Sequence, residues 1–417
     1  MMKFPLDFLW GAATSAYQVE GGNANSDWWQ WEKEKGKERS GSACCHYELY
    51  KRDFDLAKGL HHNAHRFSIE WSRIEPREGK FSRKELKHYL DVVLALKKRN
   101  IEPIVTLHHF SNPAWFARSG GWVNPRSSSR FLRYCEFVIP PLAKHVRYWI
   151  TINEPTVYIS HAYILGVWPP QAKSYLKATA VEENLALAHV KAYRLIHKIY
   201  KESGLAKPAV SIAQNVMTFI PRNRDLKNRL SAYLRDRVYN LGFLERIMRH
   251  NIMSKAMDFI GINYYSRQVV DLKKFGLLNL ATDTRDEKYS RGGKNSLGWD
   301  IYPRGIYEVL MELKKYHLPV MITENGICTF DDDQRWKYIY DHLRNIHHAM
   351  RKGVPVTGYL YWSLLDNFEW DKGFAPRFGL IGIDYETYKR TVRKSARKFG
   401  RVCKTCILPV GYNNLKK

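Results

Sequence analysis

Short apolar runs, rich in β-branched and aromatic residues, recur along the chain, and each closes on polar or aromatic side chains. Eight can be picked out: FLWGAATSAYQ around Trp10, HRFSIEWSR at 65–73, EPIVTLHHF at 102–110, RYWITINEP at 147–155, AVSIAQN at 209–215, DFIGINYY at 258–265, PVMITENG at 319–326 and TGYLYWSLLDN at 357–367. The segments between them place apolar residues at helical spacing. ELKHYLDVVLALKKRN (85–100) is one, and its basic end suits the negative pole of a helix dipole. Residues 184–200 and 335–352 read similarly. Strands alternating with helices predict a parallel sheet. Eight repeats favour closure into a (β/α)8 barrel over an open doubly wound sheet, and no GxGxxG follows a strand to suggest dinucleotide binding. No Ser/Gly-rich linker or low-complexity tract divides the chain, so residues 1–417 are expected to form one α/β barrel domain.

Such a barrel carries its chemistry at the C-terminal ends of its strands. The residues closing each run are therefore the ones to read. Run one leads into Gln18 and Glu20, and run two holds Arg66 and Trp71. Run three ends in His108-His109-Phe110, run four in Asn153-Glu154-Pro155, run six in Asn263-Tyr264-Tyr265 and run seven in Glu324-Asn325-Gly326. Run eight leads into Trp362, Glu369 and Trp370, within the aromatic and acidic stretch YWSLLDNFEWDKGF.

Glu154 and Glu324 stand out, because each directly follows an apolar β run. A carboxylate at the rim of a buried barrel is costly unless paired or protonated, so its pKa is sensitive to its surroundings. Either Glu alone reads as a helix-capping acid, with Pro155 as the first helical residue. The two together, among Arg, His, Asn and Tyr on other strand ends, match the carboxyl pair that glycosidic bond cleavage needs. One must donate a proton and the other must be ionised. Competing chemistries lack their signatures: there is no GxSxG elbow and no HExxH. The adjacent pairs His61-His62, His108-His109 and His347-His348 do not read as a metal centre, because neighbours in sequence rarely face one site.

Composition adds little against this. Hydrophobic residues make up 45% of the chain and aromatics 14%, ample for a large core. The net charge of +26 could signal an anionic partner, but no dense run of five basic residues occurs. A solvated Lys/Arg-rich surface is the expectation, with no nucleic-acid partner. MMKFPLDFLWGAAT has no sustained apolar stretch and no run of eighteen apolar residues follows, so neither a signal peptide nor a membrane span is expected, and the cytoplasm is the expected compartment. Six cysteines in a reducing compartment are expected as free thiols, with Cys403 and Cys406 near a mobile C-terminus rather than in a zinc site.

These residues resemble glycoside hydrolase family 1, the β-glucosidase/β-galactosidase family. TINEP and ITENG carry the resemblance, in that order and at roughly this separation, with RFSIEWSRI and TLHHF before them, DFIGINYY between them and YWSLLDNFEW after. It runs from FLWGAATSAYQVEG to DYETYKRT, nearly the whole chain. The resemblance implies a retaining β-glycosidase acting on a small β-glycoside or oligosaccharide without metal or cofactor. Glu154 would be the general acid, then base, and Glu324 the nucleophile. Asn153 would donate to the sugar 2-hydroxyl, and Arg66 and Tyr265 would hold Glu324 ionised, with Asn263 nearby. Gln18, His109 and Glu369 would bind sugar hydroxyls, with Trp370 beside them and Trp362 as the platform under the ring. Trp299 and Trp168 would flank the aglycone entrance. An intact Glu369-Trp370 pair points to a neutral rather than a phosphorylated sugar. The chain departs from the family in being short between Gln214 and Asn263, in Cys45, and in Ser111-Asn112 after the His-aromatic pair.

Overall fold

A computed structural model of the chain describes residues 1–250, 256–271 and 292–412. Eight strands form a closed barrel: β1 (Leu9–Ala13), β2 (Ala64–Ser68), β3 (Glu102–His108), β4 (Tyr148–Asn153), β5 (Ala209–Pro221), β6 (Ile260–Val270), β7 (Val320–Asn325) and β8 (Val356–Trp362). Each overlaps one of the eight apolar runs. All neighbours are parallel, and β1 closes the ring against β8 with Leu9 opposite Gly358 and Ala13 opposite Trp362. The expected parallel barrel is therefore the fold.

Alternation along the strands sorts the side chains. On β2, Ala64 joins an inner apolar cluster with Ile104, Ile150, Ala213, Phe259, Met321 and Leu360. Arg66, two positions on, faces the same interior one layer higher. On β8, Leu360 and Trp362 repeat the pattern. Outward residues such as Trp10, Val105 and Trp149 join the larger core under the helices.

The helices include α1 (Arg83–Lys98), α2 (Tyr175–Glu202), α3 (Leu226–Asp236), α4 (Gly242–Arg249), α5 (Asp332–Arg351) and α6 (Lys394–Thr405). Local chemistry sets their starts. Ser82 accepts from the Glu85 N–H ahead of α1, and Asp331 accepts from the Asp333 and Gln334 N–H groups ahead of α5. The helical segments read at 85–100, 184–200 and 335–352 correspond to α1, α2 and α5; α2 begins nine residues earlier than its apolar spacing indicates, where Ser174 caps it.

Two regions differ from expectation. β5 and β6 run past the rim as a paired ribbon, from Ala213 opposite Gly261 to Pro221 opposite Val270. The short connection then carries α3, one wide helical turn at Arg237–Leu241, and α4. Part of the stretch read as short, 251–255, lies outside the described residues. The C-terminal thiols are the second correction. Cys403 sits on the inner face of α6 and Cys406 just after it, both buried, because that helix packs its apolar side on the barrel. All six cysteines are unpaired. Among the described residues, no group of three His, Cys, Asp or Glu is placed to hold a metal, and no helix is long and apolar enough to cross a membrane.

Candidate active site

At the top of β4, Glu154 occupies the position just before a short helix that starts with Pro155. Its side chain makes no capping bond, and its backbone is left-handed at φ 41°. The capping role open to a lone Glu is thus not the one it fills. Phe110 and Trp370 are also left-handed, at φ 69° and 55°. Such costs are tolerated where the surroundings over-determine the backbone, often around a functional site. Gly326, after β7, has a different duty: a Cβ there would meet the Trp362 carbonyl oxygen at 1.9 Å, so only glycine lets β7 and β8 approach at the rim.

Glu324 is buried and held by opposite charge. Arg66 Nη1 lies 2.5 Å from its Oε1, and the Tyr265 hydroxyl donates to its Oε2 at 2.5 Å. Arg66 is itself fixed, its Nε donating to Thr106 Oγ1 at 2.9 Å and its Nη2 to Asn153 Oδ1 at 2.6 Å. Burial raises the Glu324 pKa, and Arg66, Tyr265 and Asn263 all oppose that rise by favouring the anion.

Glu154 has no such cation in hydrogen-bond contact. Its Oε1 accepts from Asn263 Nδ2 at 2.8 Å and from Asn215 Nδ2 at 3.0 Å. Burial first, and the negative charge of Glu324 second, push it up to about 8. The two carboxyl groups therefore differ in the way acid and base must, one left protonated at neutral pH and one bonded to a guanidinium. Asn263 bonds Glu154 and Asn153, and its nearness also favours ionised Glu324.

Beside this pair lies an aromatic wall. His109 is nearly parallel to Trp362, with centroids 5.9 Å apart, and to Trp370 at 6.1 Å. Trp370 in turn stacks on Tyr17 and packs against Trp28, Phe110 and Trp168. Asn153 Oδ1 accepts from Arg66 and Asn263, so its Nδ2 faces His109 Nε2 at 3.1 Å as a donor. The Nε2 must then accept, and the proton sits on Nδ1, which has no protein partner. Burial and Arg66 hold this imidazole neutral, well below the usual histidine range. Trp362 Nε1 donates to Glu369 Oε1 at 3.2 Å, and burial pushes Glu369 up to about 8. Gln18 lies beside Glu369 and favours its ionised form, and its Nε2 donates to Asn367 Oδ1 at 2.9 Å.

Gln18, Arg66, His109, Asn153, Glu154, Asn263, Tyr265, Glu324, Trp362, Glu369 and Trp370 are thus linked through bonds and ring contacts at one end of the barrel. Other strand-end residues turn elsewhere. Glu20 bonds Arg73 and Tyr89 on the outer wall, His108 bonds Asn112, and Trp71 packs against Tyr134 in the core. Asp366 pairs with Arg393 and accepts from the Gly379 N–H, bracing its loop. Of the two entrance tryptophans, Trp299 is 40% exposed beside Tyr265 and Phe378, whereas Trp168 is buried behind Trp370 with its Nε1 on Asp371. Sequence reasoning missed Asn215 and Tyr239. Asn215 closes run five and could have been found by the strand-end rule. Tyr239, on the helical turn after α3, donates to Asn215 Oδ1 at 2.9 Å and carries no motif.

The sequence model of Glycosyl hydrolase family 1 matches residues 1–251 and 247–406. The chain belongs to this family. Its two matched pieces meet between β5 and β6, where the sequence reads as short. A 1,4-beta-D-glucan glucohydrolase of Thermotoga neapolitana is 31% identical over 97% of this chain and 99% of its own length. Among solved structures, a beta-glycosidase from Pyrococcus horikoshii shares 38% identity over 99% of this chain and 97% of its own, with a TM-score of 0.87. The family 1 β-glucosidase from Thermotoga maritima superposes at 0.90, with 30% identity over 98% of this chain and 100% of its own. The protein is a glycoside hydrolase of the β-glucosidase/β-galactosidase family.

Proposed function

We propose that this enzyme is a retaining β-glycosidase of the β-glucosidase type, removing neutral sugars from the non-reducing ends of β-D-glycosides through a covalent glycosyl-enzyme. β-Galactosides and β-fucosides are further candidate substrates, and transfer to an acceptor sugar is a side reaction of the same intermediate. The observation that carries this reading is the unequal treatment of two buried carboxyl groups, Glu324 bonded by Arg66 and Tyr265 and Glu154 by two amides. A retaining reaction calls for the two carboxyl groups to stand about 5–5.5 Å apart, against about 6.5–9.5 Å for an inverting one.

In this mechanism Glu324 attacks the anomeric carbon while Glu154 protonates the leaving oxygen. Glu154, now ionised, then takes a proton from the water that releases the sugar. Asn153 serves the 2-hydroxyl, and the free Nδ1–H of His109 serves a neighbouring hydroxyl. Trp362 lies under the apolar face of the ring. Glu369 and Gln18 bind the far hydroxyl edge. A phosphate there would be buried against a carboxyl group whose neighbours, Gln18 and Trp362, are neutral, which is costly. Trp299 is placed to line the aglycone side. A panel of p-nitrophenyl β-glycosides and their 6-phosphates, followed by NMR of the first-formed anomer, tests all of this. Turnover of β-glucoside with the β-anomer released first is expected; an α-anomer, or preference for the phosphosugar, overturns it.

A further inference from the structure

Two amides present their N–H groups to one oxygen of Glu154, and each amide is pinned at its other end. Asn263 Oδ1 accepts from the Thr323 hydroxyl at 2.6 Å, and Asn215 Oδ1 accepts from the Tyr239 hydroxyl at 2.9 Å. Turning either amide by half a turn would set its NH2 group against that hydroxyl, which would then have to change from donor to acceptor. Glu154 Oε1 therefore faces donors from two sides, Asn263 Nδ2 at 2.8 Å and Asn215 Nδ2 at 3.0 Å. An oxygen already accepting two N–H bonds is a poor place for a proton that must itself be donated. We propose that Tyr239 and Thr323 are positioning residues for the acid step: by locking Asn215 and Asn263, they confine the transferable proton of Glu154 to Oε2. The inference rests on the reading of Glu154 as the general acid.

The two locks come from unlike sources. Thr323 is on β7, one residue before Glu324, and is fixed by the barrel. Tyr239 comes from the wide turn between α3 and α4, within the short β5–β6 connection. That connection thus reaches the acid through one hydroxyl. Tyr239 is well placed for this, because the turn is pinned to β5: Asn240 Oδ1 accepts from the Met217 N–H and its Nδ2 donates to the Met217 carbonyl. The ionisable groups around Glu154 are Glu324 from β7, Arg66 from β2, Tyr265 from β6 and Tyr239 itself. None of these changes charge when a hydroxyl is removed from Tyr239, and the Asn215 bond favours the ionised carboxylate.

The test is the pH dependence of kcat/KM in Tyr239→Phe, which keeps the ring. A freed Asn215 can turn its oxygen toward Glu154 and favour the protonated form. The basic limb should then move up by about half to one pH unit. At fixed neutral pH, an alkyl glycoside should lose about tenfold in kcat/KM while an activated aryl glycoside loses little. Thr323→Val should act in the same direction, with Thr323→Ser restoring the wild-type profile. A basic limb unmoved in Tyr239→Phe, or equal losses on the two substrates, overturns the inference. Glu154→Gln separates the two readings: if that variant keeps the wild-type basic limb, Glu154 is not the acid and the underlying assignment fails. If Glu154→Gln removes the limb and Tyr239→Phe leaves it in place, only the positioning role fails.

Discussion

The two rims of the pocket around Glu154 and Glu324 hold the same side chain in similar burial, yet they are built differently. Around Glu324 the barrel supplies a guanidinium and a phenol, both within 2.5 Å. Around Glu154 it supplies two amides and no directly bonded cation. Burial raises both carboxyl groups, and the neighbours then separate them. Residue type alone does not tell the two carboxyl groups apart; the charge of the adjacent strand ends does. Arg66 is central to that asymmetry, because its bonds reach Glu324, Asn153, Thr106 and the Thr323 carbonyl and leave Glu154 only a longer-range influence.

The comparison is broken most completely at Glu324. Glu324→Ala is expected to lower kcat by at least about 10⁴-fold, with azide or formate restoring turnover and giving a product of inverted configuration. Residual activity with retained configuration would remove Glu324 from its role. Glu154→Gln comes next. It should cost about 10²–10⁴-fold on glycosides with poor leaving groups and much less on activated aryl glycosides. A uniform loss across leaving groups counts against protonation by Glu154.

Smaller changes sharpen the contrast instead of abolishing it. Tyr265→Phe removes one bond to an ionised carboxylate, worth about 1.5–3 kcal/mol, so roughly a 10–100-fold fall in kcat/KM is expected. Tyr265 holds the Glu324 pKa down, so its loss raises that pKa and moves the acidic limb toward neutral pH. Movement the other way would mean that the phenol does not stabilise the anion. With Glu154 as the proposed acid, the basic limb of kcat/KM should fall near pH 8 and disappear in Glu154→Gln. A limb unchanged in that variant would assign it to another group.

Much of this was open to inspection in the chain itself. Eight apolar runs separated by helical spacing predict a parallel barrel, because a strand buried on both faces must be apolar along its length and a helix must show one apolar side. The rule that chemistry sits at strand ends then leads to Glu154, Glu324, Arg66 and His109. It is less able to choose between neighbours. His108 and His109 have equal claims on paper, and the turn after β3, with Phe110 left-handed, sends one to Asn112 and the other to Trp362. Glu20 reads as a rim carboxylate as well as Gln18 does, but its helix turns it to Arg73. Trp168 and Trp299 look alike in sequence and differ in burial, because one packs behind Trp370 and the other stands at the edge of its loop.

By itself the sequence determined the barrel, the family and the identity of the two carboxyl groups, since periodicity and strand-end motifs are local properties of a chain. Only the tertiary structure decided how those groups differ. Arg66 and Glu324 are 258 positions apart, and Gln18 and Asn367 are 349 apart. No local pattern specifies such pairs; they exist because eight strands close on one another. Tyr239 was invisible for the same reason. Its hydroxyl meets Asn215 because the β5–β6 ribbon and the turn after α3 bring the two together, and burial there strengthens a single hydrogen bond.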